Sequence, residues 1–261
     1  SSPVFRSMFR RALRQARAFL GQDSARRCIS TSSSSTARDS FTMDGMIAAG
    51  LHFGHQASRW NPRMAPYIYS QAGKNHVFDL EKTAVCLKRA ELFVQELAKA
   101  QGGLLFVGTR QDIAPIIRES AKYCGQPHVT ERWMGGTLTN WKQTESAVDR
   151  LAELDKERHV RHDAAWNRDY RRLWRSVNGI SSMSKRPDAL FISDISVNAV
   201  AVKEANKMMI PVIGIVDSND DPTCVEYPIP ANNDSVEAVY FIARVLAKAS
   251  RQGSIDGIVN Y

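Results

Sequence analysis

The chain has 261 residues, 43% of them hydrophobic, enough for one sizeable core with appendages. No run of about 18 apolar residues occurs, so nothing in it reads as a membrane span. The net charge of +8 points to a nucleic-acid partner, but residues 1–38 carry eight arginines and one acid, leaving the rest at only +1, so any nucleic-acid contact by the body must use local patches.

The N-terminal segment is rich in arginine and serine and poor in acids, the composition of an organelle-targeting peptide. On a helix Arg6, Arg10, Arg14 and Arg17 share one face, with Phe9, Leu13, Ala16 and Leu20 towards another. The serine tract "STSSSSTARDS" then reads as a linker. Residues 1–40 are expected to be a targeting peptide and linker; the competing reading is a retained basic arm that binds RNA. The four cysteines, Cys28, Cys86, Cys124 and Cys224, have no CxxC spacing. That argues against a disulfide framework or a zinc cluster, and Cys86 and Cys124 fit buried thiols.

In the body, Tyr67–Tyr69 and His76–Phe78 alternate apolar and polar around "SQAGKN", which predicts a β-hairpin. Asp79 is placed to cap a helix through about Ala100, with an inward stripe of Leu80, Ala84, Leu87, Ala90, Val94 and Leu97. "GGLLFVGT" has the continuous apolar pattern of a strand buried on both faces. Asp112 opens the next helix, with Ile113, Ile116, Ile117 and Ala121 inward, and "HVTERW" offers a further core strand. Asn140 is placed to cap a polar helix from Trp141 to about Arg161, followed by one from about Ala164 to Val177. Then come strand "DALFISD", a helix over 198–208, strand "PVIGIVD" and the short edge candidate "YPIP". Asp234 and Glu237 have capping-box spacing before a last helix ending near Ser250, with 251–261 as a short tail. The alternation predicts an α/β core, residues 41–141 and 186–250, around a mostly parallel sheet with helices on both faces. Residues 142–185 interrupt it as an inserted helical hairpin.

No catalytic set holds together. "LLFVGTRQD" is a strand, a Gly108–Thr109 turn and a helix start, competent to hold an anion, but it is neither GxGxxG nor a P-loop. A plain turn is the better reading. Asp194 and Asp217 end two strands, where they could hold a cation, share acid–base work or cap turns; capping is favoured. His52 and His55 in "HFGH" lack further ligands for a metal. In the hairpin, Arg168, Arg171, Arg172 and Arg175 fall on one helical face, opposite Tyr170, Leu173, Trp174 and Val177. That face is either ordinary solvated charge or a contact for RNA or an acidic partner.

Seven stretches in order, "GLHFGHQASRWNPRMAPYIY", "NHVFDLEKT", "LLFVGTR", "RWMGGTLTNW", "RPDALFISD", "KEANKMMIPVIGIVDSNDDP" and "YPIPANNDS", closely resemble the signatures of the second protein of the bacterial-type small ribosomal subunit. With its N-terminal peptide the chain resembles a mitochondrial member of that family, located in the matrix. The resemblance implies a flavodoxin-like or Rossmann-like domain with a protruding helical hairpin, between head and body of the subunit. It implies a structural, non-enzymatic role with no cofactor, metal, membrane or small-molecule substrate. The partners implied are small-subunit rRNA and neighbouring ribosomal proteins. The 142–185 hairpin is shorter than is usual in the family.

Candidate rRNA or partner contacts follow. In "RWMGGTLTNW" and just beyond, Gly135 and Gly136 let backbone approach closely, Arg132 and Lys142 supply charge, and Trp133 or Trp141 braces the loop or stacks. Thr137 and Asn140 belong to the same stretch, and one of the two tryptophans is expected in the core. Arg59, Trp60 and Arg63 lie in a segment stiffened by Pro62 and Pro66. Lys74 at the hairpin tip, Arg110 and the four hairpin arginines complete the set.

Overall fold

The computed structural model describes residues 41–158 and 163–259. The expected targeting peptide and the end of the first hairpin helix beyond Arg158 lie outside those residues. The chain enters through a short helix, α1 (Met43–Ala48), which the apolar pattern does not announce; Thr42 caps it by accepting from the Gly45 N–H. Strand β1 (Phe53–Gln56) follows, then two 3₁₀ turns over 57–59 and 62–67. The expected hairpin forms as β2 (Ile68–Ala72) and β3 (Asn75–Phe78), its strands reaching into the segment read as loop. These make a small antiparallel sheet in the order β1-β3-β2.

Asp79 caps α2 (Leu80–Lys99) as expected, its carboxylate accepting from the Glu81 and Lys82 N–H groups. The buried stripe is Thr83, Leu87, Ala90, Val94, Leu97 and Ala98. β4 (Leu104–Val107) is fully buried and α3 (Ala114–Cys124) starts two residues after Asp112. "HVTERW" contributes only a two-residue edge strand, β5 (His128–Val129). The inserted hairpin is α4 (Trp141–Glu157) and α5 (Ala164–Val177). Asn140 precedes α4, but its side chain accepts no backbone N–H there and bonds Gln143 instead. Leu151, Leu154 and Trp166 are buried, Trp166 stacks on Tyr170 at 5.1 Å, and the Tyr170 hydroxyl donates to Asp155 of α4.

The core resumes with β6 (Ala189–Ile192), α6 (Ala199–Lys207), β7 (Val212–Val216), β8 (Tyr227–Pro230) and α7 (Val236–Val259). The five-stranded sheet is parallel throughout, in the order β5-β4-β6-β7-β8 with "YPIP" at one edge. Counted within this sheet, that is the flavodoxin-like order, with its switch point between β4 and β6. Leu105, Val107, Leu190 and Ile192 pack with Leu138, Leu151, Val177, Ala201, Val202 and Ala205 in one core cluster. Strand alternation turns Leu104, Phe106, Ala189 and Phe191 to the opposite face, on which α2, α3 and α7 pack together.

Two boundaries of α7 differ from expectation. Ser235, not Asp234, caps it, its hydroxyl accepting from the Ala238 N–H, because Asp234 is engaged elsewhere. The helix also runs to Val259, so residues 251–259 of the expected tail are helical. Gly253 and Gly257 resemble stop signals but are contact points. A Cβ on Gly253 would lie 2.4 Å from the Gln95 carbonyl oxygen, and one on Gly257 2.9 Å from that of Lys99. Only glycine lets α7 approach the backbone of α2 so closely.

Candidate functional site

The C-terminal ends of β4, β6 and β7 meet at the switch point, the usual ligand crevice of such sheets. Here the crevice is filled by the chain's own charges. Arg110, expected to reach outward, donates to Asp234 at 2.9 Å, to the Asn233 carbonyl at 3.1 Å and to Asp112, and Asp194 lies 3.8 Å away. Burial opposes its charge, but the bond to Asp112 and the other carboxylates raise its pKa further. Arg110 is thereby withdrawn from the set of free basic contacts.

A second basic side chain enters from β1. The His55 ring lies 2.9 Å from Asp217 and 3.2 Å from Asp234, and its backbone N–H donates to the Ser218 hydroxyl at 2.9 Å. The bond to Asp217 raises its pKa against the opposing effect of burial, helped by the charges of Asp217, Asp234 and Asp220. Fully buried Asp217 also accepts from the Ser218 and Asn233 N–H groups. Asp194 accepts from the Val197 N–H at 2.9 Å, and Thr109 donates to Asn198 at 2.9 Å. Both aspartates therefore cap and brace. Carboxylates dominate the crevice, the wrong charge for a phosphorylated ligand at the "VGTR" turn. Among the described residues, no group of three or more His, Cys, Asp or Glu has a metal-holding arrangement.

The "RWMGGTLTNW" loop does form an anion cradle, but the anion is internal. Glu204 of α6 accepts from the Gly136 N–H at 2.8 Å, the Leu138 N–H at 3.0 Å, and the N–H and hydroxyl of Thr139 at 3.4 Å. The Trp133 indole N–H also donates to it, at 3.2 Å. Burial acts to raise the Glu204 pKa, yet these donors hold it below the usual carboxylate value. Gly136 sits at φ +95°, a conformation that favours glycine. Sequence reasoning missed Glu204, though a signal existed: on α6 it shares a face with buried Ala201 and Ala205, an acid inside an apolar stripe.

This reassigns part of the expected contact set. Thr137 is buried and donates to the Met134 carbonyl. Neither tryptophan is fully buried: Trp133 is half-buried against the core cluster, and Trp141 is half-buried with its indole N–H on Glu145. Gly135, Asn140, Arg132 and Lys142 remain exposed on the outer side of the clamp. Arg63 is exposed but paired with Asp221, and donates to Thr223 at 3.2 Å. Trp60 lies over His76 with centroids 5.3 Å apart, and Arg59 and Lys74 are exposed nearby in sequence.

The hairpin arginines behave otherwise. Arg168, Arg171, Arg172 and Arg175 are all exposed and have no carboxylate partner among the described residues. Tyr170 and Leu173 are half-buried and Val177 is buried, so the apolar side seats the helix while the arginines face solvent. Trp174, expected on the apolar side, is 37% exposed. It borders a small recess with Arg118, His128 and Arg175. Of the thiols, Cys86 and Cys124 are half-buried, not fully buried, and burial pushes Cys124 up to about 11. No described helix is long and apolar enough to cross a membrane.

A family model described as ribosomal protein S2 matches residues 46–253. That span takes in both sheets, the helical hairpin, the clamped loop and most of α7.

Proposed function

Starting from the fact that this chain belongs to the ribosomal protein S2 family, we propose that it is a structural constituent of the mitochondrial small ribosomal subunit. It binds small-subunit rRNA and neighbouring ribosomal proteins between head and body, and so supports translation in the matrix. The observation that carries this reading is the family match over nearly the whole body. The eight arginines of residues 1–38 support the mitochondrial address. The role is structural: the crevice where an α/β enzyme would bind its ligand is closed by Arg110, His55 and their aspartates. Its RNA contacts are assigned to charges with no side-chain partner among the described residues, namely the α5 arginines with Arg59, Lys74, Arg132 and Lys142.

The test is sedimentation of the tagged full chain from a mitochondrial lysate, with and without ribonuclease. The expected result is co-migration with the small subunit, abolished by ribonuclease treatment or high salt. Sedimentation as a free monomer or small oligomer in both conditions would overturn the proposal.

A further inference from the structure

Beside β1 lies an open cleft of about 350 Å³ that neither the arginine face nor the clamped loop uses. Two of its lining residues, His55 and Asp234, are committed to the crevice cluster. Four others, Phe53, Gln56, Arg59 and Asn75, have no side-chain hydrogen bond or ion pair among the described residues. Phe53 is a large apolar ring left 53% exposed, with its centroid 4.0 Å from that of His52. An exposed ring, two unpartnered amides and one unpartnered guanidinium thus converge on a single concavity.

Each of these groups matches a different part of one nucleotide. An aromatic face stacks on any base, an amide pairs with the donor–acceptor edge of a base, and a guanidinium takes phosphate. The volume lies at the low end of small-ligand pockets, which run from roughly 300 to 1,000 Å³. It suits one nucleotide and not a duplex, whose bases remain stacked. An acidic peptide would engage Arg59 but leave the ring and both amides without partners.

We infer that this cleft holds a single unstacked nucleotide of single-stranded RNA, with Phe53 stacking on the base, Gln56 and Asn75 reading its edge and Arg59 holding its phosphate. The inference rests on the rRNA-binding role proposed above and gives it a specific site.

The test uses small subunits purified through the tagged full chain, so co-sedimentation is read first. Ultraviolet irradiation, digestion and mass spectrometry should yield a nucleotide adduct on the peptide containing Phe53–Arg59. In subunits carrying Phe53→Ala or Asn75→Ala, that adduct should fall, and one unpaired base protected in the wild type should regain the chemical reactivity it has in free RNA. Both positions are exposed, so neither change removes a core group. An intact subunit with no adduct and no altered base would overturn the cleft assignment while leaving the ribosomal role standing. A cross-link to a neighbouring protein's acidic segment in place of a nucleotide would also overturn it. A chain that never co-sediments would overturn both.

Discussion

The switch-point crevice and the outer face of α5 are both rich in charge, and their chemistry is opposite. In the crevice Arg110 has carboxylate partners from Asp112 and Asp234, and His55 bridges Asp217 and Asp234. On α5 four arginines stand in solvent with no carboxylate partner among the described residues. Both regions come from arginine-bearing segments. What separates them is whether the fold returns an acid to the same place. A charge satisfied internally stabilises the fold and is not free to bind; a charge without a partner contributes little to folding and is free to bind.

The clamped loop belongs with the crevice, and it gives the largest expected effect. Glu204→Ala removes the acceptor from three backbone N–H groups, a hydroxyl and an indole. Donors left unpaired by such a change cost about 3 kcal/mol together. At roughly 2–4 °C per kcal/mol for a domain of this size, Tm should fall by roughly 6–12 °C. Glu204→Gln, which keeps one acceptor oxygen, should cost about half as much. A thermal melt showing no change in either variant would place the loop with the exposed surface.

Arg110→Ala should come next, at about 1 kcal/mol by chemical denaturation. Asp112 and Asp234 are partly exposed, so water takes over much of what the guanidinium supplied. The variant should leave the salt dependence of RNA binding unchanged, because Arg110 has no free donor face. A reduced salt slope would move Arg110 back among the RNA-binding residues.

His55 gives a smaller effect with a definite sign. Its pKa is raised in the folded state above the ordinary histidine value of 6.5, chiefly by the bond to Asp217. The stabilisation is fully present below about pH 6.5, where the unfolded chain is also protonated, and fades as pH rises through the folded value. The Tm difference between wild type and His55→Gln should therefore narrow as pH rises from 6 into the alkaline range. A difference that is flat or widens with pH would show that the ring is held neutral.

Much of the fold was legible because it depends on local pattern. The continuous apolar runs gave β4, β6 and β7, and the Asp79 cap and apolar period gave α2. The hairpin arginines were legible for the same reason, since i, i+3, i+4, i+7 spacing fixes a face. What escaped depends on pairings distant in sequence. Glu204 lies 68 residues from Gly136, and Asp234 lies 124 from Arg110. No local pattern says that those groups meet. The extension of α7 escaped likewise, because Gly253 and Gly257 signal an ending locally and a close helix crossing globally.

The smallest effect on stability should come from α5, and there the contrast with the crevice is sharpest. Replacing Arg168, Arg171, Arg172 and Arg175 together with glutamine should change folding stability by no more than about 0.5 kcal/mol, since the side chains are exposed and pair with nothing described. Yet each phosphate that the variant no longer neutralises should lower the slope of log affinity against log salt by about 0.9. If all four touch RNA, the slope falls by roughly 3–4 while the melt is unchanged. The same four changes would leave the slope intact if the face is merely solvated. They would lower Tm clearly only if α5 has a carboxylate partner in the folded chain. A variant set that unfolds nothing and unbinds RNA is the reverse of what Glu204→Ala should do, and the two experiments together test whether internal pairing divides this protein's charges into those that hold it and those that bind.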